Sequence, residues 1–286
     1  MARVPKVDIA IIGGSSTMIE KFPNDYPSVE IISNEVEYET PFGPSAPFTH
    51  AKVNDKEFLT VPFHGITSKI LNTEPNSAGE RVFYVLMKAG VKKIISTATC
   101  GSTNRLLDPA DAVIPDGFVD YTSKRSQSFT RCLAARGVEV EKVSYRLHQA
   151  FCPTLSHSLY LNAKKAGFPR VFGRGTVGVS EGPRLESPEE IKLRYSNVGI
   201  DVVTMNLIPE ILFAREIGAC YACVEVVSNY GEGVVSTSWE GGLTFSDFQR
   251  KWGHPSAMTL LQTAAQIDLA DDSCECSKHR WKSTIN

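Results

Sequence analysis

Short apolar runs rich in β-branched residues alternate along this chain with helix-like patterns, and this alternation constrains the fold more than any other feature. The runs occupy residues 6–12, 57–63, 91–97, 112–115, 174–179, 201–205 and 219–227. Helical spacing of apolar residues occurs over 80–89, 156–166, 188–198, 210–217 and 245–270. Strands that alternate with helices predict an α/β protein with a largely parallel sheet flanked by helices.

The chain contains no internal repeat and no linker that would divide it. Its 286 residues are enough for one large domain with a sizeable core. We therefore expect a single domain over residues 1–270. Residues 234–242 are expected to form a surface loop, and residues 271–286 a polar, loosely attached C-terminal tail.

Charge and hydropathy argue against nucleic acid and membranes as partners. Lys and Arg total 30 against 32 Asp and Glu, so the chain lacks a basic footprint for nucleic acid or a polybasic membrane anchor. No segment approaches the roughly 20 apolar residues that a spanning helix needs. The first apolar run contains Asp8 and stops at Gly13, which is too short for a secretory signal. The seven cysteines are scattered, so we expect reduced thiols in the cytoplasm.

Small residues follow several predicted strands, at the positions where α/β sheets bind ligands. Such turns are expected at residues 13–16 (GGSS), 96–102 (STATCGS), 180–186 (SEGPRLE) and 203–206 (VTMN). Because small residues let backbone amides approach an anion, turns at the carboxyl ends of strands favour a small-anion site.

Other motifs have simpler interpretations. The GGSS turn lacks the third glycine of a dinucleotide fingerprint, and no Gly-x-Ser-x-Gly elbow is present. His64 alone would be a structural histidine after a strand. Cys274 and Cys276 are too close for a usual zinc half-site and have no partner pair in the sequence, so no metal site is predicted.

Eleven sequence fragments occur in an order that resembles the methylthioadenosine phosphorylase and purine nucleoside phosphorylase family. They are IAIIGGSS, ETPFGPSAP, PFHG, TATCGS, DPADAVIPDGFVDYT, SQSF, FCP, GTVGVSEGPRLES, GIDVVTMNLIPE, AREIGACYACV and SNYGEG. The resemblance runs from about Val7 to Phe248, and QSF, FCP and EGPR most resemble methylthioadenosine phosphorylases.

The resemblance implies a nucleoside-phosphorylase-like fold with a central mixed sheet, assembled as a homotrimer with active sites near subunit interfaces. Members cleave a purine nucleoside with inorganic phosphate, giving free purine and a ribose 1-phosphate without a further cofactor. The Cys274–Cys276 pair resembles a CxC pair of some members, and whether it forms a disulfide stays open.

The resemblance assigns phosphate contacts to five residues: Ser15, His64, Ala98, Thr99 and Asn206. Asn206 stands where the family has Ser or Thr, and Ala98 and Thr99 occupy the positions of the family's pair in TATCGS.

The family's phosphate-binding arginine is absent. The corresponding positions are Pro62 and Phe63, neither of which carries charge. Losing a charge-assisted contact costs about 1.5–3 kcal/mol. The charge would then come from Lys69, Arg81 or a neighbouring subunit.

At the nucleoside, Met205 occupies the position of a sugar-contacting methionine. Asn229 and Gly231 replace the Asp-x-Asp pair of adenine-specific members, so Asn229 can hold the purine N7 by a hydrogen bond but cannot deliver a proton as an acid. Leu185 occupies an aromatic position of the purine pocket. Relatives that take 6-oxopurines use Asn together with a Glu after that position, where this chain has Glu186.

Phe245 and Phe248 align with the helix that lines the family's 5′ pocket. Their three-residue spacing places them on one helical face, where they either line a pocket for a flat apolar group or pack in the core.

Three hypotheses follow from these residues. The chain is a methylthioadenosine phosphorylase with another source of phosphate-binding charge, a 6-oxopurine nucleoside phosphorylase, or a catalytically impaired homologue that binds a flat aromatic ligand.

Overall fold

Alternate residues of the first strand point into two different apolar cores, and this explains the layered architecture. The computed structural model describes residues 2–18, 21–65, 77–235 and 244–283 of the chain. Strand β1 (Ile9–Ile12) is buried along its whole length. Ile9 and Ile11 pack into one core cluster, whereas Ala10 and Ile12 pack into the other. Burial on both faces is typical of a parallel sheet covered by helices on both sides.

Within the described residues, eleven strands form one sheet. After β1 they are β2 (Val29–Val36), β3 (Phe48–Val53), β4 (Lys56–Val61), β5 (Lys93–Ser102), β6 (Ala112–Val113), β7 (Gly117–Asp120), β8 (Val171–Phe172), β9 (Thr176–Val179), β10 (Val202–Thr204) and β11 (Cys220–Tyr230). The main order is β8-β6-β11-β5-β1-β4-β3-β2, while β9 pairs with β7 and β10, and β10 pairs with β5.

The centre of this sheet is parallel and its periphery is mixed. Strands β11, β5, β1 and β4 run parallel to their neighbours within that group. Antiparallel pairs join β2 to β3, β3 to β4, β6 to β11 and β10 to β5. The predicted α/β fold with a mixed, largely parallel sheet is therefore confirmed.

Helices cover both faces of the sheet. They are α1 (Ser15–Met18), α2 (Ala78–Ala89), α3 (Phe129–Ala135), α4 (Pro153–Ala166), α5 (Pro188–Glu190), α6 (Glu210–Ile217) and α7 (Phe245–Gln266). One π-helical turn, Ile191–Tyr195, and one 3-10 turn, Ser196–Val198, continue α5, so the helical expectation over 188–198 holds. Apolar residues of α2 and α6 belong to one core, and those of α4 and α7 to the other. None of the helices described for this chain is long and apolar enough to span a bilayer.

Two central strands extend beyond the predicted ends. The turn expected at 96–102 is wrong, because β5 continues through Ser102. Its parallel partner β11 continues to Tyr230, and the two strands stay paired from Lys93 and Cys220 to their ends, with an irregularity between Val227 and Asn229. Pairing to a neighbour thus overrides the local preference of small residues for a turn.

Sequence reasoning missed two long antiparallel strands, β2 and β3. Their polar residues hid the pattern, since most of β2 is exposed or half-buried. The predicted loop over 234–242 lies mainly outside the described residues.

The expected loose attachment of the C-terminal tail is wrong for residues 271–283. A 3-10 helix over Glu275–His279 is followed by the strand Arg280–Lys282, which pairs with the short strand Val143–Tyr145. Cys274 and Cys276 are each 7% exposed. They lie beside two cysteines from distant parts of the chain, Cys152 and Cys220, so the expectation that the pair lacks partners is also wrong.

Candidate functional site

His64 lies at the centre of a buried polar network beside the first strand. It belongs to a 3-10 turn, Phe63–Gly65, that follows β4. Its Nδ1 hydrogen-bonds to the Thr97 carbonyl oxygen at 2.9 Å, and its Nε2 lies 2.5 Å from Glu210 Oε1. Burial opposes protonation of the ring, but the Glu210 carboxylate and these hydrogen bonds raise the pKa of His64.

Both ring nitrogens of His64 are engaged by protein groups. The side chains of His64 and Glu210 are only 3% and 1% exposed. Because both ring nitrogens are engaged, the histidine reaches an anion directly only by giving up one bond. The ring and the Glu210 carboxyl group form a buried pair at the cavity wall.

Glu210 also accepts a hydrogen bond from Tyr221 Oη at 2.7 Å, and that hydroxyl lies 2.7 Å from Ser96 Oγ. Sequence reasoning did not select Glu210 or Tyr221. Glu210 opens α6 directly after the NLIP segment, and Tyr221 lies within the apolar β11 run, so neither is marked by a local motif.

A second carboxylate, Glu225, lies inside the sheet near His64. It is fully buried in the middle of β11, in register with Ala98. Its Oε1 accepts a hydrogen bond from Cys223 Sγ at 3.7 Å, and its Oε2 has no partner among the described residues. Burial raises the pKa of Glu225 to about 8, against the opposing positive charge of His64. An acidic residue within an apolar predicted strand was the sequence feature that could have pointed to Glu225.

Three of the predicted phosphate residues approach one another at the strand ends. Ser15 Oγ lies 3.5 Å from Thr99 Oγ1. Thr204 Oγ1 donates to the Thr99 carbonyl oxygen at 3.2 Å, and Asn206 Nδ2 donates to Thr204 Oγ1 at 3.4 Å. Ala98, which was also predicted to contact phosphate, is 1% exposed and belongs to the core.

A cavity of about 690 Å³ opens next to these strand ends. Its wall includes Phe63, His64, Ala78, Gly79, Lys124, Arg125, Ser126, Glu181, Gly182, Pro183, Met205, Asn206, Ile208, Pro209 and Glu210. The volume falls within the usual range for small-molecule pockets. Two cationic residues on the wall, Lys124 and Arg125, were not predicted.

Arg125 stabilises the cavity wall through hydrogen bonds to backbone carbonyl oxygens. Its guanidinium donates to the carbonyl oxygens of Ile208, Ser180 and Glu181 at 2.7, 3.3 and 3.0 Å. It also lies 3.4 Å from the Glu181 carboxylate. Burial disfavours the charged form of Glu181, but backbone amides and Arg125 lower the pKa of that carboxyl.

The remaining cations have different environments. Lys124 is exposed, and its ammonium has no ion-pair or hydrogen-bond partner within the ranges that the structure describes. Arg81, suggested as a substitute for the missing arginine, is 5% exposed, and it donates to Ser77 Oγ and to the Pro44 carbonyl oxygen, both at 3.2 Å. These bonds hold Arg81 against the Gly43–Pro44 turn. Lys69 lies outside the described residues.

The expected purine-binding residues lie at the end of β11. Asn229 accepts from Ser228 Oγ at 2.7 Å and donates to the Tyr230 carbonyl oxygen at 2.9 Å. Gly231 is buried, and its amide donates to the Ser102 carbonyl oxygen at 2.7 Å. A Cβ there would lie 3.1 Å from Ile191 and 3.2 Å from that oxygen, so the position favours glycine.

Glu186 and Met205 line two different cavities. Glu186 lines a small cavity of about 100 Å³ whose other residues include Tyr121, Arg184 and Tyr195. Leu185 is 51% exposed. Met205 lines the larger cavity and packs close to Gly182, where a Cβ would lie 2.6 Å from its sulfur.

Phe245 and Phe248 of α7 differ in burial. Phe248 is 3% exposed and belongs to the core with Leu260 and Leu261, so of the two alternatives for it the core position holds and the pocket-wall position does not. Phe245 is 39% exposed on the first turn of the helix.

The fold and these strand-end residues define an α/β protein with a small-molecule cavity beside a cluster of hydroxyls. Residues 8–263 match the family model of the Phosphorylase superfamily, and the chain belongs to that superfamily.

Relatives with different named activities are similarly close. A probable 6-oxopurine nucleoside phosphorylase from Dictyoglomus turgidum is 33% identical over 226 residues, which cover 79% of each chain. An S-methyl-5′-thioadenosine phosphorylase from Aedes aegypti is 32% identical over 227 residues, 79% of this chain and 77% of that one. A crystal structure of a point mutant of adenosine/methylthioadenosine phosphorylase from Schistosoma mansoni, in complex with adenine, has the same fold. The TM-score is 0.77 and the sequence identity 24%, and the match covers 96% of this chain and 95% of that one.

Proposed function

We propose that this chain is a pentosyltransferase of the purine nucleoside phosphorylase type, with S-methyl-5′-thioadenosine as its first candidate substrate. Inorganic phosphate is the co-substrate, and no further cofactor is invoked. The observation that carries the proposal is the approach of Ser15 and Thr99 to Asn206, which lines the same cavity as Met205. The S-methyl-5′-thioadenosine phosphorylases among its relatives support the choice of substrate.

In this proposal the phosphate binds at the strand ends. The Ser15 and Thr99 hydroxyls and the Asn206 amide supply neutral hydrogen-bond donors, and His64 supplies positive charge from behind. Lys124 is the exposed cation of the cavity wall and adds a charge that other members receive from arginine. Fixed donors and cations of this kind stabilise the charge that the attacking phosphate carries.

The sugar and the leaving purine place different demands on the site. Met205 positions the sugar against the phosphate, so that the two reactants meet in a productive geometry. As the glycosidic bond breaks, negative charge develops on the purine. Asn229 stabilises that charge through its amide N–H after exchanging its bond to the Tyr230 carbonyl oxygen, and it delivers no proton. Leu185 and Gly231 belong to the same proposed purine environment.

Catalysis is expected to be slower than in an arginine-containing relative. Phe63 lies on the cavity wall at the position of the family's arginine. Loss of one preorganised donor typically lowers the rate about a hundred- to a thousandfold. Complete loss of turnover with retained binding of a flat ligand would identify the impaired homologue.

A 6-oxopurine nucleoside is the second candidate substrate, and Asn229 favours it. Its amide nitrogen carries two N–H donors, which suit the N7 and O6 acceptors of an inosine or guanosine base. Glu186 would accept from the purine N1–H only if the loop that carries it closes toward the larger cavity.

Release of purine from S-methyl-5′-thioadenosine and from inosine, each with and without phosphate, tests the proposal. Phosphate-dependent release from the first nucleoside supports it, and a preference for inosine selects the second candidate. No release from either nucleoside, by protein whose fold is verified by circular dichroism, refutes both.

Assembly and location complete the proposal. We expect a homotrimer, supported by exposed apolar side chains at Leu106, Leu185, Leu193 and Val198. Light scattering coupled to size exclusion measures the mass directly.

A cytoplasmic location is supported by the seven cysteines, all unpaired.

A further inference from the structure

Four cysteines from three distant parts of the chain meet in one buried cluster. Cys152 immediately precedes α4, Cys220 begins β11, and Cys274 and Cys276 belong to the C-terminal segment. All four are buried, and their sulfur atoms lie within 4.8 Å of one another. None of the four is required by the proposed phosphorolysis, so the cluster needs its own explanation.

The local structure turns both C-terminal cysteines to the same side. Glu275, between them, is exposed and pairs with Lys278 at 2.8 Å, while the two flanking cysteines are buried. The Cys276 carbonyl oxygen also accepts a bond from Arg215 Nη1 at 2.8 Å. The i, i+2 spacing, too short for a usual zinc half-site, thus supplies two sulfurs that the fold completes with two others.

The separation of the sulfurs suits a tetrahedral metal ion. Zinc binds thiolates at about 2.3 Å, which places the sulfurs of a site with four cysteine ligands roughly 3.8 Å apart. The Cys220 and Cys274 sulfurs lie 3.5 Å apart, and the whole cluster lies within 4.8 Å. Small adjustments of side-chain rotamers therefore accommodate one ion at the centre.

We propose that Cys152, Cys220, Cys274 and Cys276 form a structural Zn²⁺ site that fastens the C-terminal segment to the domain. The ligand set is closed, because four protein sulfurs complete a tetrahedron and leave no position for substrate. Sulfur ligands in this geometry select zinc over hard cations such as Mg²⁺ or Ca²⁺.

A neighbouring lysine supports the charge that such a site would carry. Four thiolates around Zn²⁺ have a net charge of −2, which is costly in a buried position without compensation. Lys93 is 6% exposed, its Nζ lies 3.8 Å from Cys220 Sγ, and it donates to the Asp271 carbonyl oxygen at 3.1 Å. The lysine thus joins the cluster to the segment that carries two of its ligands.

The site would act on stability. Zinc would link the start of β11 and the N-terminus of α4 to residues 271–283, and Cys220 and Cys274 are 54 positions apart in the chain. Because binding requires deprotonated thiols and the assembled fold, metal loss is expected to lower the melting temperature.

Metal analysis of the full-length protein, purified without chelators, tests this proposal. We expect about one zinc per chain in the wild type, and less than a tenth of that in Cys220→Ser and in the Cys274→Ser/Cys276→Ser double variant. Cys223→Ser is the matched control, because Cys223 is buried on the same strand but lies outside the cluster. It should retain the full zinc content.

Wild-type protein provides a test that does not depend on variant folding. X-ray absorption at the zinc edge should show four sulfur neighbours at about 2.3 Å, and chelation should lower the melting temperature. Zinc-free protein with four alkylatable thiols, or with disulfides among them, would overturn the proposal. Zinc bound through nitrogen or oxygen would overturn it as well.

Discussion

Glu225→Gln should remove a large pH dependence from the stability of this protein. The carboxyl group is fully buried, and burial raises its pKa to about 8 from 4.5. Between these values the folded chain keeps the proton while the unfolded chain loses it. The folded state therefore binds more protons, and its stability falls as the pH rises through this window.

The magnitude follows from the same two values. At about 1.4 kcal/mol for each pH unit, the separation of the two pKa values corresponds to a total loss of stability of roughly 5 kcal/mol, which is complete only above pH 8. Between pH 6 and pH 9 the loss is roughly 3 kcal/mol, since ionisation of the folded state limits it above pH 8. Glutamine preserves the shape and does not ionise, so this part of the pH dependence should disappear.

Urea unfolding at pH 6, 7, 8 and 9 measures this difference. We expect the free energy of unfolding of the wild type to fall relative to that of Glu225→Gln as the pH rises. Glu30→Gln removes a carboxylate from an exposed position on β2 and controls for the change in net charge. Parallel pH profiles for the wild type and Glu225→Gln would show that Glu225 ionises as it does in the unfolded chain, and would refute the reasoning.

Two substitutions in the cavity wall test the proposed site, and a pair in α7 tests the packing of the core. Phe63→Arg should lower the KM for phosphate by about tenfold or more, because one charge-assisted contact contributes about 1.5–3 kcal/mol; unchanged phosphate kinetics would place the phosphate elsewhere. Lys124→Gln should raise the KM for phosphate several-fold, since an exposed cation contributes roughly 1 kcal/mol, and an unchanged value in initial-rate assays would remove Lys124 from the site. Phe248→Ala should lower the free energy of unfolding by about 3–5 kcal/mol in urea titrations, whereas the more exposed Phe245→Ala should cost much less; equal losses would contradict their different burial.

The strand-end residues could be predicted because their positions depend on a regular architecture. Parallel strands that alternate with helices bring their carboxyl ends to one edge, and Ser15, Thr99 and Asn206 approach one another there. The local sequence did not reveal that β5 continues through Ser102. That extension depends on pairing with β11, whose end lies more than a hundred residues later in the chain.

Buried partners were harder to predict, because polar groups become partners only after the chain has folded. His64 reads as an isolated histidine in the sequence, yet Glu210, 146 residues away, occupies its Nε2. The local sequence around His64 is the same whether its ring binds phosphate through a free nitrogen or belongs to a buried ion pair. Only the position of α6 distinguishes these two cases, and it pairs His64 with Glu210.

Phe63 and the buried acids both affect the charge balance at the strand ends. Phe63 gives the cavity wall an uncharged side chain, while Glu225 adds an acidic group on the strand that pairs with the one carrying Ala98 and Thr99. Below its pKa of about 8, Glu225 is neutral, so the positive charge of His64 is opposed only by Glu210. Above that pH, a second negative charge would repel a phosphate that binds as proposed. Phosphate binding in this chain should therefore weaken on the alkaline side, through a residue that never touches the ligand.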